Sequence, residues 1–312
     1  MNELIHYSVI SLIVVLPTIG VGIGQGLVNK AALDAANEQP GADGALQRVS
    51  IIAMTLSETA VLLSIVVALL LIMDTAKGMY TGWAYAGILA AIAVPGFFVG
   101  IMSSFPAREA LKATARQPLF APQILQLLLI TQAMVQTPTI FGFIIALLIR
   151  SQFVLATNLA DGVRLLAGGL AFGIGCLGPL IGLGLFTKNA LKTAGINREV
   201  YPQLRTFTLV SQALIEAPII FSLLIAILLT YTKTSGTSPM HYVPYLAAAA
   251  SIGISSLGVG LNSGRTAATA VREIGINQNL YPTISRMSII SQTFIDTISI
   301  YGTLIALIII FL

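Results

Sequence analysis

Ser211-Gln212-Ala213-Leu214-Ile215-Glu216-Ala217-Pro218-Ile219-Ile220-Phe221 is the stretch that decides the fold, because the chain writes it again at a fixed interval. Eighty residues earlier it reads Thr131-Gln132-Ala133-Met134-Val135-Gln136-Thr137-Pro138-Thr139-Ile140-Phe141. Eighty residues later it reads Ser291-Gln292-Thr293-Phe294-Ile295-Asp296-Thr297-Ile298-Ser299-Ile300-Tyr301. A more distant copy, Ala53 to Leu63, puts Glu58 at the position of Glu216 and Asp296. The offsets are 78, 80 and 80, so the chain is one unit repeated four times, a pattern that has to be recognised before any other reading.

The other half of the unit repeats as well. Ala110-Leu111-Lys112 matches Ala190-Leu191-Lys192, Gly195-Ile196-Asn197 matches Gly275-Ile276-Asn277, and Tyr201-Pro202 matches Tyr281-Pro282. Each unit therefore reads helix, polar loop, helix, with hairpins over 1–78, 79–157, 158–236 and 237–312. A crossing helix needs about 20 mostly apolar residues. Eight such stretches are present, near 4–30, 50–73, 84–107, 124–149, 165–187, 207–231, 243–264 and 287–312. The expected fold is an all-α membrane protein of four tandem hairpins. Two crossings per unit make the repeats parallel, which argues against transporter folds built on inverted repeats.

Composition agrees. The chain is 56% hydrophobic and only 9% charged, with a mean hydropathy of +0.91, whereas soluble domains carry roughly a quarter charged residues. The first span is apolar from Leu4 and carries Glu3 but no early Lys or Arg, so it is read as a membrane span, not a secretory signal. A single cysteine, Cys176, excludes an internal disulfide and a cysteine-built metal site. The net charge of +4 is explained by basic loops, not by nucleic-acid binding. Twelve Lys and Arg residues lie in the loops inside hairpins, from Lys30 and Arg48 to Arg272 and Arg286. Only Lys77, Arg150, Arg164 and Lys233 lie in the connectors. That asymmetry puts the hairpin loops in the cytoplasm and both termini outside.

Of twelve acidic residues, three lie near the middle of a span: Glu58, Glu216 and Asp296. A charge at mid-bilayer costs about 2.5–3.5 kcal/mol on insertion scales. A helix-packing hydrogen bond could be made more cheaply by Ser or Asn, and three acids in register argue against so passive a role. A group neutral in lipid and charged in a polar pocket is suited to carry an ion. Gln136 holds the same position in the second hairpin and does not ionise, so that site is expected to be silent.

The first helices carry alternating glycines. Gly20/Gly24 and Gly22/Gly26 line two roughly opposite faces, since residues two apart differ by about 200°. Hairpin 3 keeps Gly178, Gly182 and Gly184, hairpin 4 keeps Gly258, Gly260 and Gly264, and hairpin 2 has the weaker set Gly96, Gly100, Ser103 and Ser104. Small residues allow close backbone approach in lipid. As a nucleotide fingerprint the run fails, because it lies inside a span with no preceding strand.

These features together resemble the proteolipid (c subunit) family of F-type ATP synthases: a glycine-alternating first helix, a loop reading Ala115-Arg116-Gln117-Pro118, and a mid-helix carboxylate within Gln212 to Ala217. The loop triplet becomes Glu38-Gln39-Pro40 in hairpin 1 and Gly-Ile-Asn in hairpins 3 and 4. The resemblance implies a homo-oligomeric c-ring with first helices inside and carboxylate helices outside. It implies ion carriage on Glu58, Glu216 and Asp296 past the a subunit of the stator. It also implies contact of Arg116, Gln117 and Pro118 with a central stalk of gamma and epsilon subunits. It implies a non-catalytic role in a bacterial inner membrane, with no cofactor beyond the transported ion. Four fused hairpins with one acid lost are also similar to V-type proteolipids, the first alternative; the Arg-Gln-Pro loop and the repeat length argue for F-type.

Sodium-binding members of the family add oxygen ligands around the acid. Hairpin 1 offers Gln25 and Thr59 with Leu63 at the family's Tyr position; hairpin 4 offers Ser263, Thr297 and Tyr301; hairpin 3 offers Leu183, Ala217 and Phe221. The poorest sodium site governs a shared ring, so the expected ion is the proton, with sodium the alternative. Sites shared between neighbouring hairpins would reshuffle these pairings. A stand-alone ion-coupled transporter and a purely structural proteolipid are the rivals from other classes. His6 and His241 are read as interfacial, and Pro138 and Pro218 as local kinks.

Overall fold

The computed structural model describes residues 2–74, 80–232 and 242–311; Lys77, Lys233 and His241 lie outside the described residues. The described chain consists of α1 (Asn2–Glu38), α2 (Asp43–Ile72), α3 (Thr81–Arg116), α4 (Ala121–Gln152), α5 (Leu159–Gly175), α6 (Leu177–Ile196), α7 (Tyr201–Tyr231), α8 (Val243–Ile276) and α9 (Tyr281–Phe311). Short 3-10 turns at Pro40–Ala42, Pro118–Phe120 and Gln278–Leu280 close three of the hairpin loops. Among the described residues, eight helical stretches are long and apolar enough to cross a membrane, and they run to 31–38 residues, beyond the apolar segments read from sequence.

The fifth span differs from its expected single helix. It is interrupted at Cys176, between α5 and α6. Pro179 has no N–H to offer the Gly175 carbonyl and its ring crowds that turn, which is where the ladder breaks. Pro138 and Pro218, by contrast, lie inside unbroken helices α4 and α7.

The helices form two concentric rows. Glycine helices α1, α3, α5–α6 and α8 succeed one another in one row, carboxylate helices α2, α4, α7 and α9 in the other. The glycine row packs much more closely than the carboxylate row, so the double row curves with the glycine helices inside. Close approach explains the tightness. A β-carbon at Gly24 would collide with the Gly100 carbonyl oxygen, and one at Gly264 would collide with the Gly182 backbone. Only glycine tolerates such backbone contact, and it gives lipid-embedded helices the dispersion contacts that hold them together. The ends of the arc, α1 and α8, do not pack on each other, so the described chain is an open sector.

A Gly264→Leu variant should therefore lose about 1–3 kcal/mol from overpacking. Thermal aggregation of the detergent-solubilised chain would report it as a drop of several degrees relative to Gly258→Leu, because a β-carbon at Gly258 meets nothing within 4 Å. Equal melting of the two variants would contradict this account of the seam.

Candidate ion-carrying sites

Two apolar clusters stack along the membrane normal. One, towards the hairpin loops, contains Val135, Phe186, Phe207 and Ile215. The other contains Val67, Ile145, Phe172 and Ile219. Glu216 falls between Ile215 of the first and Ile219 of the second, and the repeat places Glu58, Gln136 and Asp296 at the same level. Each is held by the middle turns of α2, α4, α7 or α9.

The four positions are not alike. Glu216 and Asp296 are each 8% exposed and Gln136 5%, whereas Glu58 is open on the outer edge of α2. Gln25 Nε2 donates to Glu58 Oε1 at 2.9 Å, joining α1 to α2 within hairpin 1. Thr59 is not turned to Glu58: its hydroxyl lies 3.1 Å from Gln136 Oε1, across the boundary between hairpins 1 and 2. At the next boundary Thr137 stands beside the Glu216 carboxyl, and its hydroxyl donates to the Ala133 carbonyl of its own helix at 3.4 Å. At the third boundary Ala217 takes the place of the hydroxyl residue, and neither Asp296 oxygen has a hydrogen-bond partner. Ser263 Oγ is buried and also unpartnered. Thr297 donates to the Phe294 carbonyl of its own helix at 2.6 Å, and Tyr301 is exposed.

A buried glutamine one turn before three of these positions was not assigned a role from sequence. Gln132 Nε2 donates to the Ser103 carbonyl at 2.7 Å, Gln212 Nε2 to the Thr131 carbonyl at 3.4 Å, and Gln292 Nε2 to Ser211 Oγ at 3.3 Å. The last two tie one carboxylate helix to the preceding one. Recurrence of Gln four residues before the acid was the available signal; in hairpin 1 the position is Met54.

The loop residues form a second ladder. Gln117 Nε2 donates to the Gly195 carbonyl at 2.9 Å, and Asn197 Nδ2 to the Gly275 carbonyl at 3.2 Å. Each side chain thus caps the C-terminal end of the next hairpin's glycine helix, satisfying a carbonyl that has no partner within its own helix. Arg116, Gln117 and Pro118 line one wall of a cleft of about 450 Å³ whose other wall is Ile196 to Glu199. Leu119 stands 97% exposed at the tip.

Acidic groups at one depth, spaced around a curved double row of apolar helices, define a tandem-hairpin membrane proteolipid. The family model for the ATP synthase C subunit matches the chain four times, over residues 9–71, 86–149, 166–229 and 246–309. The chain belongs to the ATP synthase C subunit family. It is similar to the ATP synthase c subunit of Dehalococcoides mccartyi, 40% identical over 72 residues, which cover 23% of this chain and 95% of the relative. The Chloroflexus aurantiacus ATP synthase c subunit is 35% identical over 71 residues, 23% of this chain and 93% of the relative. The K subunit of the A-type ATP synthase of Methanocaldococcus jannaschii is 28% identical over 181 residues, 58% of this chain and 76% of the relative.

Proposed function

We propose that this chain is the rotor-ring subunit of an F-type ATP synthase, and that it carries protons on Glu58, Glu216 and Asp296. The observation that carries the proposal is the register of three carboxylates at one depth, two of them enclosed by apolar helices. Ionised and unpaired in lipid they would be costly. Neutralised by a bound ion they cross it, and beside a polar stator they discharge. Copies close into a ring, the a subunit of the stator delivers and receives ions, and the loop tips meet the gamma and epsilon subunits of the central stalk. The exposed Leu119 and the Arg116–Pro118 cleft wall suit that contact. The loop-side basic residues support a cytoplasmic position for those tips.

The surroundings of Asp296 favour the proton. A sodium ion exchanges its hydration shell for several oxygen ligands, and Asp296 has Ala217 where the preceding boundary has a hydroxyl. Tyr301 is turned out to the surface, and Thr297 is engaged by its own backbone. A second reading, an A- or V-type proteolipid, draws on the similarity to the archaeal K subunit over 58% of the chain.

Carbodiimide labelling of the native complex tests both points. Modification is expected at Glu58, Glu216 and Asp296, slowed as pH rises and indifferent to sodium. Protection by sodium at constant pH would overturn the choice of ion. Absence of modification at all three would remove the ion-carrier reading.

A further inference from the structure

Several repeat positions are buried in three hairpins and exposed in the fourth, and the exceptions fall on the two edges of the arc. On α1, Val15, Gly22, Gly26, Asn29 and Leu33 are exposed, although their counterparts in α3, α5–α6 and α8 are all buried. On α9, Met287, Ser291, Ile298 and Ile305 are exposed, although their counterparts in α2, α4 and α7 are all buried. Glu58 fits the same pattern, open where Gln136, Glu216 and Asp296 are enclosed. Each edge lacks the neighbour that every internal boundary supplies.

The internal boundaries state how that neighbour sits. At the boundary between hairpins 2 and 3, the Met102 side chain fills the space beside Gly184, its Cβ 3.2 Å and its Sδ 3.0 Å from where a β-carbon at Gly184 would be. One repeat on from the Gly182 position, at the free end of the arc, stands Asn262, an exposed amide level with the ion sites and bonded only to its own helix at Gly258 O, 2.8 Å. An amide facing lipid at this depth is unfavourable and marks a surface to be covered. The counterpart of Gly184 at the other end is Gly26, and a β-carbon at Gly22 or Gly26 would meet nothing within 4 Å. A notch and a side chain to fill it stand at opposite ends of one molecule.

Resting on the rotor-ring reading, we propose that copies join head to tail through a keyed seam. The α8–α9 edge of one copy packs on the α1–α2 edge of the next, with Asn262 seated in the Gly22/Gly26 notch. The loop ladder continues likewise, Asn277 reaching the Asn37 carbonyl of the next copy as Asn197 reaches that of Gly275. Asn262 distinguishes this seam from the internal ones, where Gly24, Met102 and Gly182 stand at its position. A single buried Asn is a known means of fixing register between helices.

The test uses the assembled complex in membranes, in a Cys176→Ala background, with the pair Asn262→Cys and Gly26→Cys treated with copper phenanthroline. The expected result is loss of the monomer band into a reductant-sensitive ladder of multimers. The homologous internal pair, Met102→Cys with Gly184→Cys, should close within one chain without a ladder. A ring-sized native assembly in which the internal pair closes and the Asn262/Gly26 pair does not would overturn the keyed seam and leave the ring reading standing. Absence of any ring-sized assembly would overturn both.

Discussion

Glu216→Gln should reduce ion-coupled ATP turnover by about tenfold or more while leaving the chain assembled in the membrane. Tolerance of the substitution is already written into the fold. Gln136 occupies the same repeat position, and α4 and α7 share the same pattern of burial around it. What changes is the run of silent hairpins. The wild-type chain has one hairpin without an ionisable group, flanked by Glu58 and Glu216. The variant has two in succession, and the rotor must cross the doubled gap without an ion to drive it. One elementary charge crossing 100 mV is worth about 2.3 kcal/mol, equivalent to about fiftyfold in rate, so a tenfold loss is a modest expectation. Asp296→Asn removes the same number of charges but keeps Glu216 between the silent hairpins, and should cost less. ATP synthesis in energised vesicles checks both; wild-type rates for Glu216→Gln would end the ion-carrier reading.

Gln136→Glu should act in the opposite sense. On the ion-carrier reading, three acids per chain carry three ions per chain in each turn, and a fourth acid raises that by a third. For a fixed free energy of hydrolysis per turn, the steepest gradient the motor can sustain falls to about three-quarters, and the weakest gradient that drives synthesis falls in the same proportion. The position is prepared for an acid. The Thr59 hydroxyl already lies 3.1 Å from Gln136 Oε1, and Gln136 Nε2 is buried without a partner, so a carboxyl gains a donor and removes an orphaned amide nitrogen. Static-head potentials in reconstituted vesicles measure the effect. An unchanged potential would mean that hairpin 2 does not pass the stator as the others do.

Much of the architecture was legible because a period near 80 residues is insensitive to local detail. Four copies of one apolar–polar–apolar unit fix hairpins, their number and the common depth of Glu58, Gln136, Glu216 and Asp296. The break at Cys176 was not legible, since a Gly-rich apolar run with one proline reads equally as a bent helix or two helices. The partners of the carboxylates were less legible still. Sequence order groups Thr59 with Glu58, but residues adjacent on a helix point about 100° apart, and the hydroxyl faces the next hairpin's Gln136. Gln117 is similar: its place in the loop motif gives no sign of the bond that its amide donates to the Gly195 carbonyl of the next hairpin. In a repeat protein the parts of each unit are readily read from residue order, and the traffic between units is not.

Covalent linkage of hairpins 1 to 4 has a consequence for heredity as much as for mechanics. Were the hairpins separate polypeptides, an inert one would enter a rotor by chance, and each motor in a cell would have its own gearing. On the rotor-ring reading, with Gln136 spliced between Glu58 and Glu216 in one translated product, every copy brings the same three teeth and one gap, and a rotor built from copies of this chain has a gear ratio that is a genetic constant rather than an average over a population.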